Sequence, residues 1–395
     1  MTVPTPPNAG LDLDVVVDVP RFDGLAAEWD DLVLAAPRPS PFLLHAWVSA
    51  WWRHFGAGSN LAVVTARRDG ELVGIAPMVI FRTRGFRVCR FLGGYESALG
   101  DLLVVDPDDD RVPAALMERL RMLRFDYLDA FGIPAGGPMA RWAHSHDLKL
   151  LRRVESPVLD MPGGWTAAYE SRTSSKRRSL HRRRLRQLSE LGEVEWTVAS
   201  GGDEVVAELE HAFLIHALRW HGRPDKSTFG TLDGRSFHRE GARALAEQGA
   251  VRIVTLRIGG KPVAFQYFFV LAGTMYVHRL AFDPAFAHRS PGQIALIHAL
   301  ETASSERVTR VEFLGGDERY KMELADRSEP MHQAIGLPRG PIPALAVRAL
   351  LRLITTRQRL KRNSWLHELY QERLGPIRRL VRRGLPEVER PKARY

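Results

Sequence analysis

Three short segments hold the residue types that can do chemistry. The first is 282–294, Phe-Asp-Pro-Ala-Phe-Ala-His-Arg-Ser-Pro-Gly-Gln-Ile, with a strand pattern before it and a helical pattern after it. Such a loop aims backbone N–H groups and the positive end of a helix at one spot, which suits phosphate oxygens. Pro291 starts the helix without wasting a donor, and Gly292 lets backbone approach a ligand. Arg289, Ser290 and Gln293 add side-chain partners. The second is 314–321, Leu-Gly-Gly-Asp-Glu-Arg-Tyr-Lys, at the end of a strand pattern. There Asp317 can accept a proton and Tyr320, a neutral phenol at pH 7, can give one. The third is His278, on a strand whose two-residue period puts Tyr276, His278, Leu280 and Phe282 on one face. An imidazole there is either a base or a satisfied core histidine.

Other chemistries find no residues. The chain has no H-E-x-x-H, no Walker A loop and no nucleophile elbow. Its histidines show no metal-ligand spacing, so no metal is expected. Its one cysteine, Cys89, sits in an alternating strand pattern far in sequence from any histidine, and makes a poor nucleophile. One cysteine allows no internal disulfide and fits a reducing, cytoplasmic setting. Residues 1–10 do not read as a signal peptide, and no apolar run is long enough for a spanning helix.

The elements that must position these residues come in two rounds. Of the 395 residues, 63–74 and 253–264 align without gaps, with Val, Thr, Arg, Gly and Val in common. Each reads as strand, tight turn, strand. Leu103-Val-Val-Asp-Pro107 then echoes Leu280-Ala-Phe-Asp-Pro284, and each is followed by a helix and a short strand ending in glycine. Paired helical stretches precede both hairpins. This order predicts two copies of one α/β unit with mixed sheets flanked by helices.

The expected divisions are a first unit at 1–160, a basic linker helix at 161–192, a second unit at 193–336 and a basic helical tail at 337–395. Residues 172–186 hold eight Lys and Arg and no acid. At 100° per residue, Leu180, Leu185, Leu188 and Leu191 form a stripe that also includes Arg177 and Arg184. Charges on a core-facing stripe want an anionic partner, either a buried carboxylate or a bound phosphate. The net charge is +10, of which 339–395 carries +11 and the rest −1. The basic tail suggests an anionic membrane surface or nucleic acid as a partner.

The sequence resembles the GNAT acyltransferases, in particular their BioF-like or CelD-like acetyltransferase branch. The likeness runs from about residue 22 to 331. It rests on Glu28-Trp29, Pro41-Phe42, His45-Ala-Trp47, the Asp69-Gly70 hairpin leading to Ala76-Pro77, and the arginine-rich linker. It continues through Arg219-Trp220, Phe237-His238, Ser290-Pro291-Gly292, Gly315-Gly316-Asp317 and Tyr320-Lys321. The plan is also similar to the Fem peptidyltransferases, which carry two such units.

The resemblance implies two tandem GNAT-like units and transfer of an acyl group from acyl-CoA, a co-substrate rather than a resident cofactor, to an amine. For the CelD-like branch the resemblance implies an amino sugar or another cell-envelope precursor as the amine. Arg289-x-x-Gly292 matches part of the family's pyrophosphate signature, whose last position is here Ile294, a departure that bears on how tightly the loop can wrap a phosphate. Asp317 is then the base, Tyr320 the acid for the thiolate, and His278 a second base beside the acyl carbonyl. Lys321 holds an anion, while Trp220, His221 and His238 line the acceptor side. The first unit's acidic 107–110 would repel pyrophosphate, so the donor belongs to the second. Two rivals remain: transfer from a charged tRNA, as in the Fem plan, and a non-catalytic scaffold.

Overall fold

In the computed structural model, residues 10–362 are described, apart from 147, 221–226 and 317. The first half runs β1 (Asp12–Val16), α1 (Val19–Gly24), α2 (Ala26–Ala35), α3 (His45–Phe55), β2 (Asn60–Arg68), β3 (Glu71–Thr83) and β4 (Phe86–Phe91). It continues with β5 (Leu103–Val104), α4 (Arg111–Arg121), β6 (Tyr127–Pro134), α5 (Pro138–Ser145) and β7 (Lys149–Asp160). Two helices connect the halves, α6 (Gly164–Arg172) and α7 (Ser175–Ser189). The second half repeats the plan with β8 (Val194–Ala199), α8 (Gly202–Arg219), α9 (Leu232–Glu247), β9 (Val251–Ile258), β10 (Lys261–Leu271) and β11 (Thr274–Phe282). Then come α10 (Pro291–Ser305), β12 (Arg310–Glu312), α11 (Arg319–Met322), β13 (Arg327–Gly336) and the tail helix α12 (Pro341–Arg362).

The repeat extends to details of the first hairpin. Both hairpin turns place their two central residues in the left-handed region, at Asp69-Gly70 and Gly259-Gly260. That is the turn whose twist matches a β-hairpin. Both hairpins also slip register at matching points, so that Val73 and Val263 each become an extra residue.

The halves share one sheet of thirteen strands, ordered β1-β2-β3-β4-β6-β13-β7-β12-β11-β10-β9-β8, with β5 alongside β3. They exchange their last strands. β7 pairs with β12 of the second half, β13 pairs with β6 of the first, and β7 and β13 pair with each other. One apolar cluster continues this union, joining Phe42 and Trp47 to Phe237, Phe269 and Tyr276. The expected pair of mixed sheets is therefore a single mixed sheet. The tail helix is packed too: Val347 and Ile354 bury against Val88, Tyr127 and Ile335.

Candidate active site

The second half opens a gap between two parallel strands. β11 and β12 pair only from Thr274↔Arg310 to Tyr276↔Glu312, after which β11 runs on to Phe282 without β12 beside it. The corresponding strands of the first half pair at Val88↔Tyr127 and Cys89↔Leu128, and β4 ends two residues later at Phe91.

At the far end of the gap stands the start of α10. Ser290 takes left-handed dihedrals and caps nothing with its side chain, and the first turn carries no acid. The Gly292 N–H donates to no group among the described residues. Gly292 has a packing role as well: a methyl there would lie 2.8 Å from Phe282 Cδ1 and 3.0 Å from Leu280 Cδ2. Ile294 faces inward among Leu188, Leu256 and Val263, so its branched side chain does not crowd the helix end.

The linker helix α7 packs across this start. Its apolar stripe is narrower than the periodicity suggests: Leu188 is buried, but Leu185 and Leu191 are exposed and His181 takes an inward position. The two arginines of the stripe divide. Arg177 pairs with the Glu323 carboxylate. Among the described residues, Arg184's side-chain hydrogen bond is to the neutral Gln293, donating to Oε1 at 2.9 Å. Burial and the nearby Arg177 and Arg183 hold the Arg184 guanidinium below its usual pKa. Arg289 donates to Gln187 O at 3.1 Å, which ties the loop to α7. His181 stacks on Tyr169 and is pushed down to about 4 by burial and by Arg177 and Arg184. The α10 start is thus flanked by several guanidinium groups, of which Arg184 makes no ion pair among the described residues, the Glu323 carboxylate acting on it only from a distance.

The first half shows the contrast. The start of α4 already holds a carboxylate: Asp109 accepts from the Arg111 N–H at 3.2 Å, from Arg111 Nε at 2.7 Å and from Arg68 Nη2 at 2.8 Å. Its bonds to Arg111 and Arg68 hold the carboxyl well below the usual range.

Midway along β11 lies a bulge that sequence periodicity does not reveal. Tyr267 pairs with Arg279 and Phe268 with Val277, so His278 is the extra residue. Gln266 stitches the lapse, donating to Tyr267 O at 3.1 Å and Arg279 O at 3.0 Å. The bulge also overturns the expected shared face. Tyr276 and His278 point to the α3 and α9 side, while Leu280 and Phe282 pack with the α7 and α10 side. The equivalent β3–β4 pairing runs from Met78↔Phe91 to Thr83↔Phe86 without a slip.

His278 and Arg279 face a polar cluster built by both halves. Glu96, on the turn after β4, accepts at Oε2 from Arg279 at 2.7 Å and Thr228 at 2.9 Å, with His238 Nε2 at 3.3 Å. Burial pushes the Glu96 carboxyl up, but Arg279 and His238 outweigh it and hold it well below the usual range. Burial pushes His238 down to about 4 and His278 well below its ordinary value, so both rings are neutral. His278 sits 5.7 Å from His238 and 5.2 Å from Tyr267, ring centre to ring centre. Among the described residues, four buried polar atoms here have no partner: His238 Nδ1, Tyr267 Oη, His278 Nε2 and Arg279 Nε. Leaving such atoms unpaired costs about 1–3 kcal/mol each, so their convergence points to a polar ligand or bound water.

The remaining expected residues fall as follows. Tyr320 is half-buried beside Arg219 and Glu318, and burial pushes its phenol up, which keeps it protonated. Lys321 is buried and donates to Gly315 O at 3.1 Å and Glu318 at 3.0 Å, a clamp on the loop after β12. Trp220 ends α8, partly exposed, with its ring against His216. Asp317 and His221 lie outside the described residues. Cys89 is buried in the core and its thiol is pushed up by burial. Glu96, Thr228, Tyr267 and Arg279 were not among the expected residues. Glu96 had no signal in sequence, since it lies 183 residues from the arginine it meets.

Residues 175–322 match the family model described as an acetyltransferase (GNAT) domain. No curated protein matches the sequence. The fold is similar to the crystal structure of FemX, with 12% identity, a TM-score of 0.57, and 81% of this chain and 96% of that one covered. It is similar to the C-terminal DUF2156 domain of a putative lysylphosphatidylglycerol synthetase from Agrobacterium fabrum, at 12% identity and TM-score 0.53, covering 83% and 96%. It is similar as well to L-PGS from Bacillus licheniformis, at 11% identity and TM-score 0.51, covering 78% and 96%. The likeness to these three concerns the fold. Residues 175–322 thus match a GNAT-type acetyltransferase domain, within an α/β fold whose two halves repeat one plan on a single mixed sheet.

Proposed function

We propose that the protein is an acyl-CoA-dependent N-acyltransferase of the BioF-like or CelD-like kind, with its donor site in the second half. The observation that carries this reading is the contrast between the two helix starts. Among the described residues, the α10 start has the Gly292 N–H without an acceptor, no acid in its first turn, and Arg184 bonded to a neutral amide rather than ion-paired, whereas the α4 start is filled by Asp109. A pyrophosphate at α10 answers the helix dipole and the guanidinium together. The pantetheine arm then lies along the unpartnered edge of β11 and brings the thioester to the His278 bulge.

The acceptor amine enters from the Glu96–His238–Arg279 cluster, with Trp220 and His221 kept as the sequence-based candidates for its recognition. Its nitrogen attacks the thioester carbon, and the C–N bond forms as the C–S bond breaks. The amine proton passes to Asp317 through water, or to His278. Tyr320 gives its proton to the leaving thiolate, and the products are the amide and free CoA. Lys321 holds the loop that carries Asp317 and Tyr320. An amino sugar or another cell-envelope precursor is the acceptor class we favour.

The second reading, a charged tRNA as donor, is favoured by the outer face of α7. There Lys176, Arg182, Arg183 and Arg186 are exposed. The test is direct titration of the full chain with acetyl-CoA, longer acyl-CoAs and an aminoacyl-tRNA. Saturable binding of a CoA thioester supports the first reading. Binding of the tRNA alone replaces it with the second.

The proposed setting is the cytoplasm, with peripheral contact to anionic lipid through the tail. No helix among the described residues is long and apolar enough to cross a membrane. The outer face of α12 exposes Ile342, Leu345 and Leu353 beside Arg348, Arg352 and Arg359, and the helix contains no acid. That combination suits an anionic interface. Flotation with anionic vesicles, abolished by Leu345→Glu with Leu353→Glu, checks it; equal flotation of that variant contradicts it.

A further inference from the structure

The passage from the last strand into the tail helix forms a basic cleft. The chain leaves β13 through Leu337, whose φ of 52° is left-handed, and enters α12 at Pro341. Between this turn and the end of α4 lies a cleft of about 300 Å³, lined by Arg121, Phe125, Leu337, Pro338 and Arg339. That is the size at which small-molecule sites begin, about 300–1,000 Å³. Its two sides are tied together, since the Arg339 N–H donates to Asp126 O at 2.9 Å.

The lining holds two guanidinium groups and no carboxylate. Arg339 lies over the Phe125 ring, 5.1 Å from its centre. The Asp126 carboxylate beside Phe125 is taken up by Arg87, which donates from its backbone N–H at 2.7 Å and from Nη2 at 3.0 Å. Among the described residues neither Arg121 nor Arg339 forms an ion pair, not even with Glu118, one turn before Arg121 on α4. Guanidinium forks of this kind match the oxygens of a phosphate.

The tail helix says which phosphate. At 100° per residue, the exposed Ile342, Leu345 and Leu353 fall within a stripe of about 80°, opposite the buried Val347 and Ile354. Exposed Arg352 and Arg357 flank the stripe on either side. A helix with this pattern lies in a membrane interface, apolar face among the acyl chains and arginines at the headgroups. Arg339 comes three residues before Ile342, so the cleft lies at the N-terminal end of the stripe. We propose that the Arg121–Arg339 cleft seats the phosphodiester of one anionic phospholipid, whose acyl chains lie along Ile342 and Leu345. The inference rests on the reading of the tail as a membrane contact and adds a headgroup site to it. A free phosphate would answer the two arginines but leave the apolar stripe without a partner.

Two measurements on the full chain separate this site from general attraction to the membrane. The first is flotation with vesicles of phosphatidylcholine, with and without phosphatidylglycerol. The second is calorimetry with monomeric dihexanoylphosphatidylglycerol, at constant ionic strength and in the Arg184→Gln background, so that the proposed donor seat does not contribute. The expected results are flotation that needs phosphatidylglycerol, and saturable binding of one soluble lipid per chain. Arg121→Gln or Arg339→Gln should weaken that binding about tenfold or more, while Arg348→Gln, which removes the same charge from the helix, should not. Both cleft arginines are exposed, so these variants keep their fold. Flotation without saturable binding, or binding unchanged in Arg339→Gln, overturns the headgroup site and leaves the tail reading standing. Inorganic phosphate binding as tightly as the lipid overturns the lipid assignment. No flotation of the unsubstituted chain overturns the tail reading and the site together.

Discussion

The roles proposed for Tyr320, Arg184 and Gly292 are separable by single substitutions. Tyr320→Phe removes a proton donor and leaves the ring. It is expected to lower kcat roughly a hundredfold at unchanged acyl-CoA affinity, as steady-state rates and calorimetry would show. Loss of affinity without loss of kcat would place Tyr320 in binding instead. Gly292→Ala puts a methyl against Phe282 and Leu280 and is expected to cost about 1–3 kcal/mol, read as a lowered Tm. Local runs were legible in sequence: the strand, the loop and the helix start at 291 could be read there because their parts are adjacent. Glu96 could not, because its partners come from α9, β11 and the turn at 227–228. The shared face of Tyr276 and Phe282 was misread because a bulge at His278 adds one residue and inverts everything after it.

At the scale of elements, the two helix starts differ in that α4 carries its own carboxylate and α10 does not. In α4 the anion is internal, so Asp109→Ala should destabilise the helix by about 1 kcal/mol without conferring acyl-CoA binding on the first half. Thermal melts and a titration on that variant check both parts; a second bound acyl-CoA would contradict the assignment. The sequence order of acidic 107–110 against Ser290-Pro291-Gly292 made this contrast legible. The linker helix was legible as basic and amphipathic. How its arginines divide was not, since Glu323 and Gln293 are brought to α7 only by the fold.

Across the whole molecule, the exchanged strands β7 and β13 bind the halves into one cooperative structure. Calorimetric unfolding of the chain should show a single transition; two separate transitions would contradict the shared sheet. Two tandem units were legible from the repeat at 63–74 and 253–264, but strand exchange was not, because register between distant strands leaves no local pattern. Three buried histidines give the molecule a stated acid limit. His181, His216 and His238 are pushed down to about 4, chiefly by burial, while an unfolded histidine titrates near about 6.5. Between those values the unfolded chain binds more protons, so stability should fall as pH drops from about 6.5 toward 4. A Tm that stays level through that window would contradict their neutral burial. The central claim is that the second half seats a CoA thioester at α10 through Arg184. Its most direct test is calorimetric titration of acetyl-CoA, and of a longer acyl-CoA, into the full chain and into Arg184→Gln. Arg184 is preferred to Gly292 because it makes no tight packing contact. The account predicts one site per chain, weakened roughly ten- to a hundredfold by the substitution. Binding equal in both proteins, or no binding by either, would contradict it.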